Sequence, residues 1–195
     1  MNRNRLGIPN PAKPAKPDFV SVWDPFVRIA HWVLAMGFLV AYVSPAEDGA
    51  GPGSLHVWTG YAIGGILLLR FVWGFVGPRH ARFSDFVFRP ATVFTYLKEV
   101  FLGSPRRYLG HSPAGGAMIA ALLLALAASV VTGIAAYGEF GRGVLARVLG
   151  DLHGAITTIA LILAILHIVG IVIASITHRE NLVAAMFSGK KRPED

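Results

Sequence analysis

The sequence predicts an all-α integral membrane protein, a four-helix bundle with a short cytoplasmic interfacial helix between helices two and three. Four predominantly apolar runs reach the length of about 20 residues that a helix needs to cross a hydrocarbon core of roughly 30 Å. The 195 residues are 54% hydrophobic and only 15% charged, and the mean hydropathy is +0.55. Lys and Arg, finally, concentrate before the first run, between the second and third, and after the fourth.

The first run extends from Pro25 to Val43. Asp24 before Pro25 reads as an N-cap followed by proline at the first helical position, where a missing N–H costs nothing. Arg28 and His31 lie within its first turns, behind a long polar Pro/Lys segment, so a retained span is expected here rather than a cleaved signal peptide. The connector SPAEDGAGPGS is dense in Gly and Pro and reads as a turn. The second run covers Leu55 to Val76. Between Pro90 and Leu102, PATVFTYLKEVFL is too short to span and mixes aromatics with Lys98 and Glu99, the pattern of an interfacial helix. Ser112–Pro113 repeats the cap-and-proline start and opens the third run, to Tyr137. The fourth runs from Leu152 to Ile176.

Charge sets the orientation. Arg3, Arg5, Lys13 and Lys16 precede the first run, and Arg79, Arg82, Arg89, Lys98, Arg106 and Arg107 lie between the second and third. Arg179, Lys190, Lys191 and Arg192 follow the fourth. The first connection carries only Glu47 and Asp48, and in the third Arg142 and Arg147 are balanced by Glu139 and Asp151. The positive-inside rule therefore places both termini of a multi-pass protein in the cytoplasm. The expected division is a cytoplasmic segment over 1–22, the bundle over 23–180 and a cytoplasmic tail over 181–195.

This distribution also decides what the net charge of +7 means. The cations are spent on topology and on anionic lipid head groups rather than on a nucleic-acid face, so no nucleic-acid partner is expected. The absence of cysteine excludes disulfides, thiolate zinc, iron–sulfur ligation, cysteine nucleophiles and c-type haem attachment.

Of seven histidines, His31, His56, His153 and His167 fall inside or at the ends of spans, where an ionisable group is costly enough to signal function. His153 and His167 are fourteen residues apart, which is about 40° short of four helical turns and about 21 Å of rise. They share one face at two depths. The antiparallel order of the spans then sets His31 level with His167 on the cytoplasmic side, and His56 level with His153 on the outer side.

Two facing imidazoles across an apolar gap suit a low-spin b haem, which takes one axial nitrogen from each side. Two such levels imply two haem b groups stacked across the bilayer. Copper or zinc fits less well, because neither level offers a completing carboxylate or thioether. Arg28, one turn before His31, and Arg70, near the cytoplasmic end of helix two, are placed to serve the inner haem's propionates, and Arg142 and Arg147 those of the outer one. Arg70 has the alternative of snorkelling to the head groups. Gly60 and Gly64 would let a helix or a porphyrin face approach. Met36, Met118 and Met186 read as packing, and the four tryptophans as an interfacial belt. His80, His111, His178 and Asp85 could handle protons at a quinone site but are expected to be solvated loop or helix-end residues, and no catalytic residue is predicted.

The strings WDPFVRIAHW, LHVWTGY, RFVWGFVGPRHARFSDF, YLGHSPAGGAM, LHGAITTIALILAILHIVG and THRENLVAAMFSGKKR resemble the prokaryotic cytochrome b561 family. The likeness is strongest to its branch resembling the cytochrome b subunit of nickel–iron hydrogenase, and it covers Val22 to Arg192. It implies a four-helix bundle with two b haems ligated from helices one, two and four, at His31, His56, His153 and His167. It further implies electron exchange between a quinone pool and a redox partner, either a hydrogenase-like subunit or a soluble cytochrome c. Membrane lipid is the other expected partner, and oligomerisation is left open. Whether the chain is an oxidoreductase in its own right or an electron-transfer subunit is likewise open. Two rivals stand beside this reading: a haem-free protein using its histidines for protons or metal, and a haem-bearing anchor with no quinone reaction of its own.

Overall fold

The computed structural model describes residues 20–44, 46–47, 51–103, 106, 108, 110–138 and 143–191. The charges at Arg3, Arg5, Lys13, Lys16, Asp48, Arg107, Glu139, Arg142 and Arg192 lie outside the described residues, as does all but the end of the predicted N-terminal segment. Among the described residues four helices are long and apolar enough to cross a membrane: α1 (Pro25–Val43), α2 (Ser54–Val76), α5 (Pro113–Tyr137) and α6 (Val144–Thr177). Between α2 and α5 lie a 3-10 turn (Arg79–Ala81), the single-turn α3 (Phe83–Phe86) and the predicted interfacial helix, α4 (Pro90–Phe101). A short α7 (Leu182–Ser188) follows α6.

Local chemistry starts the helices where the sequence says. The Asp24 carboxylate accepts from the Val27 N–H at 3.2 Å, and Ser112 Oγ accepts from the Gly115 N–H at 3.2 Å, each satisfying a donor that has no partner within its own helix. The fourth span is the exception to the expected bounds. It begins at Val144 rather than Leu152 and holds 34 residues, about 51 Å at about 1.5 Å per residue. That exceeds the hydrocarbon thickness of roughly 30 Å, so part of α6 stands outside the bilayer. An apolar-run criterion cuts off the end that carries Arg147 and Asp151.

α1 packs on α2, α5 on α6, and α2 on α5. α6 forms no comparably close seam with α1 or α2. Large apolar side chains such as Leu68, Leu124 and Ile168 point outward, 71%, 71% and 61% exposed, as lipid-facing residues do. Packing within the bundle accordingly relies on small residues rather than on exclusion of water. Gly64 lies where a Cβ would be 3.1 Å from Val130 of α5.

The end of the bundle bearing both termini is closed by tertiary contacts. β1 (Val20–Ser21) pairs antiparallel with β4 (Lys190–Lys191), so the last residues of the predicted N-terminal segment and the end of the described C-terminal tail are held to one another. Gly189 caps α7 at φ +78°, with a Cβ position only 2.8 Å from the Trp23 carbonyl; both the left-handed backbone and the close approach favour glycine. Arg28 Nε donates to the Met186 carbonyl at 3.2 Å, and its Nη2 donates to the Phe187 carbonyl. A cation thus sits at the carbonyl end of α7, where the helix dipole favours it. At the opposite end, β2 (Ala46–Glu47) and β3 (Gly51–Pro52) pair within the α1–α2 connection.

Candidate haem-binding sites

The four histidines of the spans meet in the expected pairs. His31 of α1 faces His167 of α6 with ring centroids 6.3 Å apart. His56 of α2 faces His153 of α6 at 5.9 Å. Each pair joins α6 to a helix with which it has no close backbone seam, so the rings reach across a gap. The first pair lies toward the chain ends and is the inner pair of the sequence-derived topology; the second is the outer pair.

The local bonds fix which nitrogen each outer ring can offer. His56 Nδ1 lies 2.8 Å from the Ala41 carbonyl and His153 Nδ1 lies 2.8 Å from the Ser129 carbonyl. A carbonyl only accepts, so Nδ1 carries the proton in both rings and Nε2 keeps its lone pair for a ligand bond. Ala41 is in the last turn of α1, where carbonyls lack a partner within the helix, so the contact satisfies both groups. At the inner level His31 Nδ1 is buried and has no hydrogen-bond partner among the described residues.

The donor set fits a haem. Metal–imidazole bonds of about 2 Å, with ring centres about 1 Å beyond each nitrogen, set two axial rings about 6 Å apart, close to both observed separations. Among the described residues no three His, Asp or Glu side chains gather as a shell for a bare metal ion. Two nitrogens per level suit a metal that arrives with its equatorial ligands already in place. Gly60, one turn after His56 on α2, has open space where a Cβ would project.

α5 contributes to the outer site without offering a ligand. Its Ser129 carbonyl holds His153, and its Thr132 Oγ1 stands 3.4 Å from the same Nδ1. A Cβ on Gly133 would be 3.1 Å from His153 Cε1 and 3.2 Å from Nδ1. The sequence-based reading passes over these residues; the signal was the polar-and-small SVVTG interruption in an otherwise apolar run.

The predicted cations are in two settings. Arg70 is buried, 6% exposed. It donates to the Ala81 carbonyl at 3.0 Å and lies over the rings of Phe83 and Phe86 at 5.5 and 5.7 Å. It is therefore held inside the fold rather than snorkelling, and its Nη1 has no partner among the described residues. Arg28 is tied to α7 as described. Arg147 is exposed near the start of α6.

Two further residues depart from expectation. His111, expected to be solvated, is packed between Trp23 and Phe86, at 4.5 and 5.1 Å between ring centres. Burial, with Lys191 and Arg70 adding positive charge nearby, pushes its imidazole down to about 3, only partly opposed by Asp85. His80 Nδ1 lies 2.9 Å from Asp85 Oδ2, with both side chains about three-quarters or more covered. Asp85 also meets Arg79 Nε at 3.5 Å.

The chain matches the prokaryotic cytochrome b561 family over residues 22–189. A probable Ni/Fe-hydrogenase B-type cytochrome subunit of Bradyrhizobium diazoefficiens is 30% identical, the match covering 90% of this chain and 87% of the relative. The protein of the same description from Rhodobacter capsulatus is 28% identical over 90% and 82%. That from Azotobacter chroococcum is 33% identical over 67% and 65%. No solved structure matches the chain.

Proposed function

The chain belongs to the prokaryotic cytochrome b561 family, in the branch of the Ni/Fe-hydrogenase B-type cytochrome subunits, and from that premise we propose that it carries electrons across the membrane on two b haems, between a quinone pool and a redox protein. The membrane redox role follows from the family and the four spans. The observation that carries the finer reading is the pairing of histidines at two depths, 6.3 and 5.9 Å between ring centres. His31 and His167 would hold the inner haem, and His56 and His153 the outer.

Haem, when bound, supplies reversible one-electron storage in a low-dielectric setting. The chain's own residues decide how that capacity is used. His31 with His167, and His56 with His153, would hold a haem from both sides, an arrangement that would supply electron transfer rather than oxygen or substrate chemistry. The Ala41 and Ser129 carbonyls hold the outer imidazoles in the tautomer that can ligate. Arg70, with an unengaged Nη1, and Arg28, with donors beyond its two carbonyl contacts, are the cations proposed for the inner propionates. The charge asymmetry of the connections supports an orientation in the bacterial inner membrane with both termini cytoplasmic.

The relatives named as hydrogenase subunits support a hydrogenase-like redox subunit as the partner, with a soluble cytochrome c as the other candidate. Anaerobic addition of a soluble quinol to the purified protein tests the quinone assignment. Reduction of the b haems by quinol is the expected result. Reduction by dithionite but not by quinol would leave a haem-bearing anchor for a catalytic partner.

A further inference from the structure

We propose that α5, which provides no ligand, is the positioning element of the outer haem site: Gly133 uncovers the Ser129 carbonyl, Thr132 buttresses it, and together they seat the His153 ring. The inference rests on the haem reading given above and concerns how one ligand is held.

The geometry follows from helix stereochemistry. In a helix each Cβ leans toward the N-terminus and covers the turn before it. The Ser129 carbonyl lies one turn before Gly133, so a side chain at 133 would stand over the very oxygen that His153 uses. With no Cβ there, the imidazole comes down onto the helix surface. The ring sits where a Cβ would be 3.1 Å from Cε1 and 3.2 Å from Nδ1, tighter than ordinary contact.

The Ser129 oxygen remains available to a second donor because a carbonyl has two lone pairs, one of them serving the helix itself. Thr132 closes the other side. Its hydroxyl oxygen lies 2.7 Å from the Ala128 carbonyl and 3.1 Å from the Ser129 carbonyl; donating its one proton to the nearer oxygen, it leaves a lone pair 3.4 Å from His153 Nδ1. Ser129 and Thr132 are both buried, 6% and 9% exposed, so this polar cluster is shielded from water and from lipid alike. Nothing equivalent holds the inner ring of α1, whose His31 Nδ1 is buried without a partner among the described residues.

A hydrogen bond from Nδ1–H to a carbonyl makes an axial imidazole more basic and favours the oxidised metal. Disturbing the cradle should therefore raise the midpoint potential of one haem only, the outer. The experiment is a redox titration with low-spin EPR on the full-length, haem-loaded protein, for wild type, Gly133→Ala, Thr132→Val and Thr132→Ser. Signals are assigned by which set His56→Ala removes.

The expected result is an upward shift and altered g-values for the outer haem in Gly133→Ala. A smaller shift of the same haem is expected in Thr132→Val, with wild-type behaviour restored in Thr132→Ser. An unchanged outer haem in both Gly133→Ala and Thr132→Val, or a shift confined to the inner haem, would overturn the proposal. If Gly133→Ala does not fold, the Thr132→Val and Thr132→Ser pair decides alone. A wild-type protein without haem would instead overturn the reading on which the proposal rests.

Discussion

His31 and His167 stand with ring centroids 6.3 Å apart, although their helices, α1 and α6, share no close backbone seam. Two imidazoles held opposite one another across such a gap, their planes inclined by 56°, are the feature from which the ligand assignment grows. Replacing either with Ala should remove one haem and leave the outer one. His56→Ala or His153→Ala should do the reverse. Haem per chain by pyridine haemochrome, together with the EPR of what remains, checks this. Retention of two haems in any of the four variants would refute the assignment of that residue.

Arg70 joins α2 to the Ala81 carbonyl and lies over the rings of Phe83 and Phe86. Removing a buried charge-assisted hydrogen bond and its ring contacts costs roughly 2–4 kcal/mol. Arg70→Met should therefore lower the thermal stability of the detergent-solubilised protein. Arg70→Lys should recover only part of the loss, because an ammonium has neither the planar fork nor the ring-stacking face. Melting temperatures for the three proteins test the order.

The spans were legible because each had its own local cause: Asp24–Pro25 and Ser112–Pro113 start two helices at the predicted residue. The histidine pairing was legible because depth along antiparallel helices follows from counting residues. What the sequence concealed is tertiary. Burial of His111 depends on Trp23 and Phe86 arriving from distant segments, and β1 meets β4 across most of the chain. The start of α6 was hidden because its outer turns leave the bilayer and need no unbroken apolar run. The SVVTG interruption marks a polar and small step in α5, but nothing in it says which neighbouring side chain fills the space at Gly133.

His111 should make stability fall in acid. Its folded-state value of about 3 lies below the ordinary 6.5, so between those limits the unfolded chain binds the proton and the folded protein does not. Stability from this group is complete above about 6.5 and declines as the pH drops toward 3, by at most about 1.4 kcal/mol per pH unit. His111→Phe, which keeps a ring between Trp23 and Phe86, should flatten that decline. Thermal unfolding at several pH values between 7.5 and 5 measures it, and an identical slope in the variant would contradict the assignment.

The absence of cysteine makes the topology directly testable. Single cysteines at Ser188, beside the C-terminal strand, and at Ser54, where α2 begins, should report opposite sides of the membrane. In intact spheroplasts an impermeant thiol reagent should label Ser54→Cys, while Ser188→Cys should react only after the membrane is opened. The reverse pattern would invert the proposed orientation.

The measurement that bears most directly on the whole account is a dithionite-reduced minus air-oxidised optical spectrum of the purified protein, with a pyridine haemochrome assay for haem per chain. A sharp b-type α band at two haems per chain is the predicted result. One haem per chain would contradict the two-level pairing, and none, in cells supplied with haem, would contradict the electron-transfer reading itself.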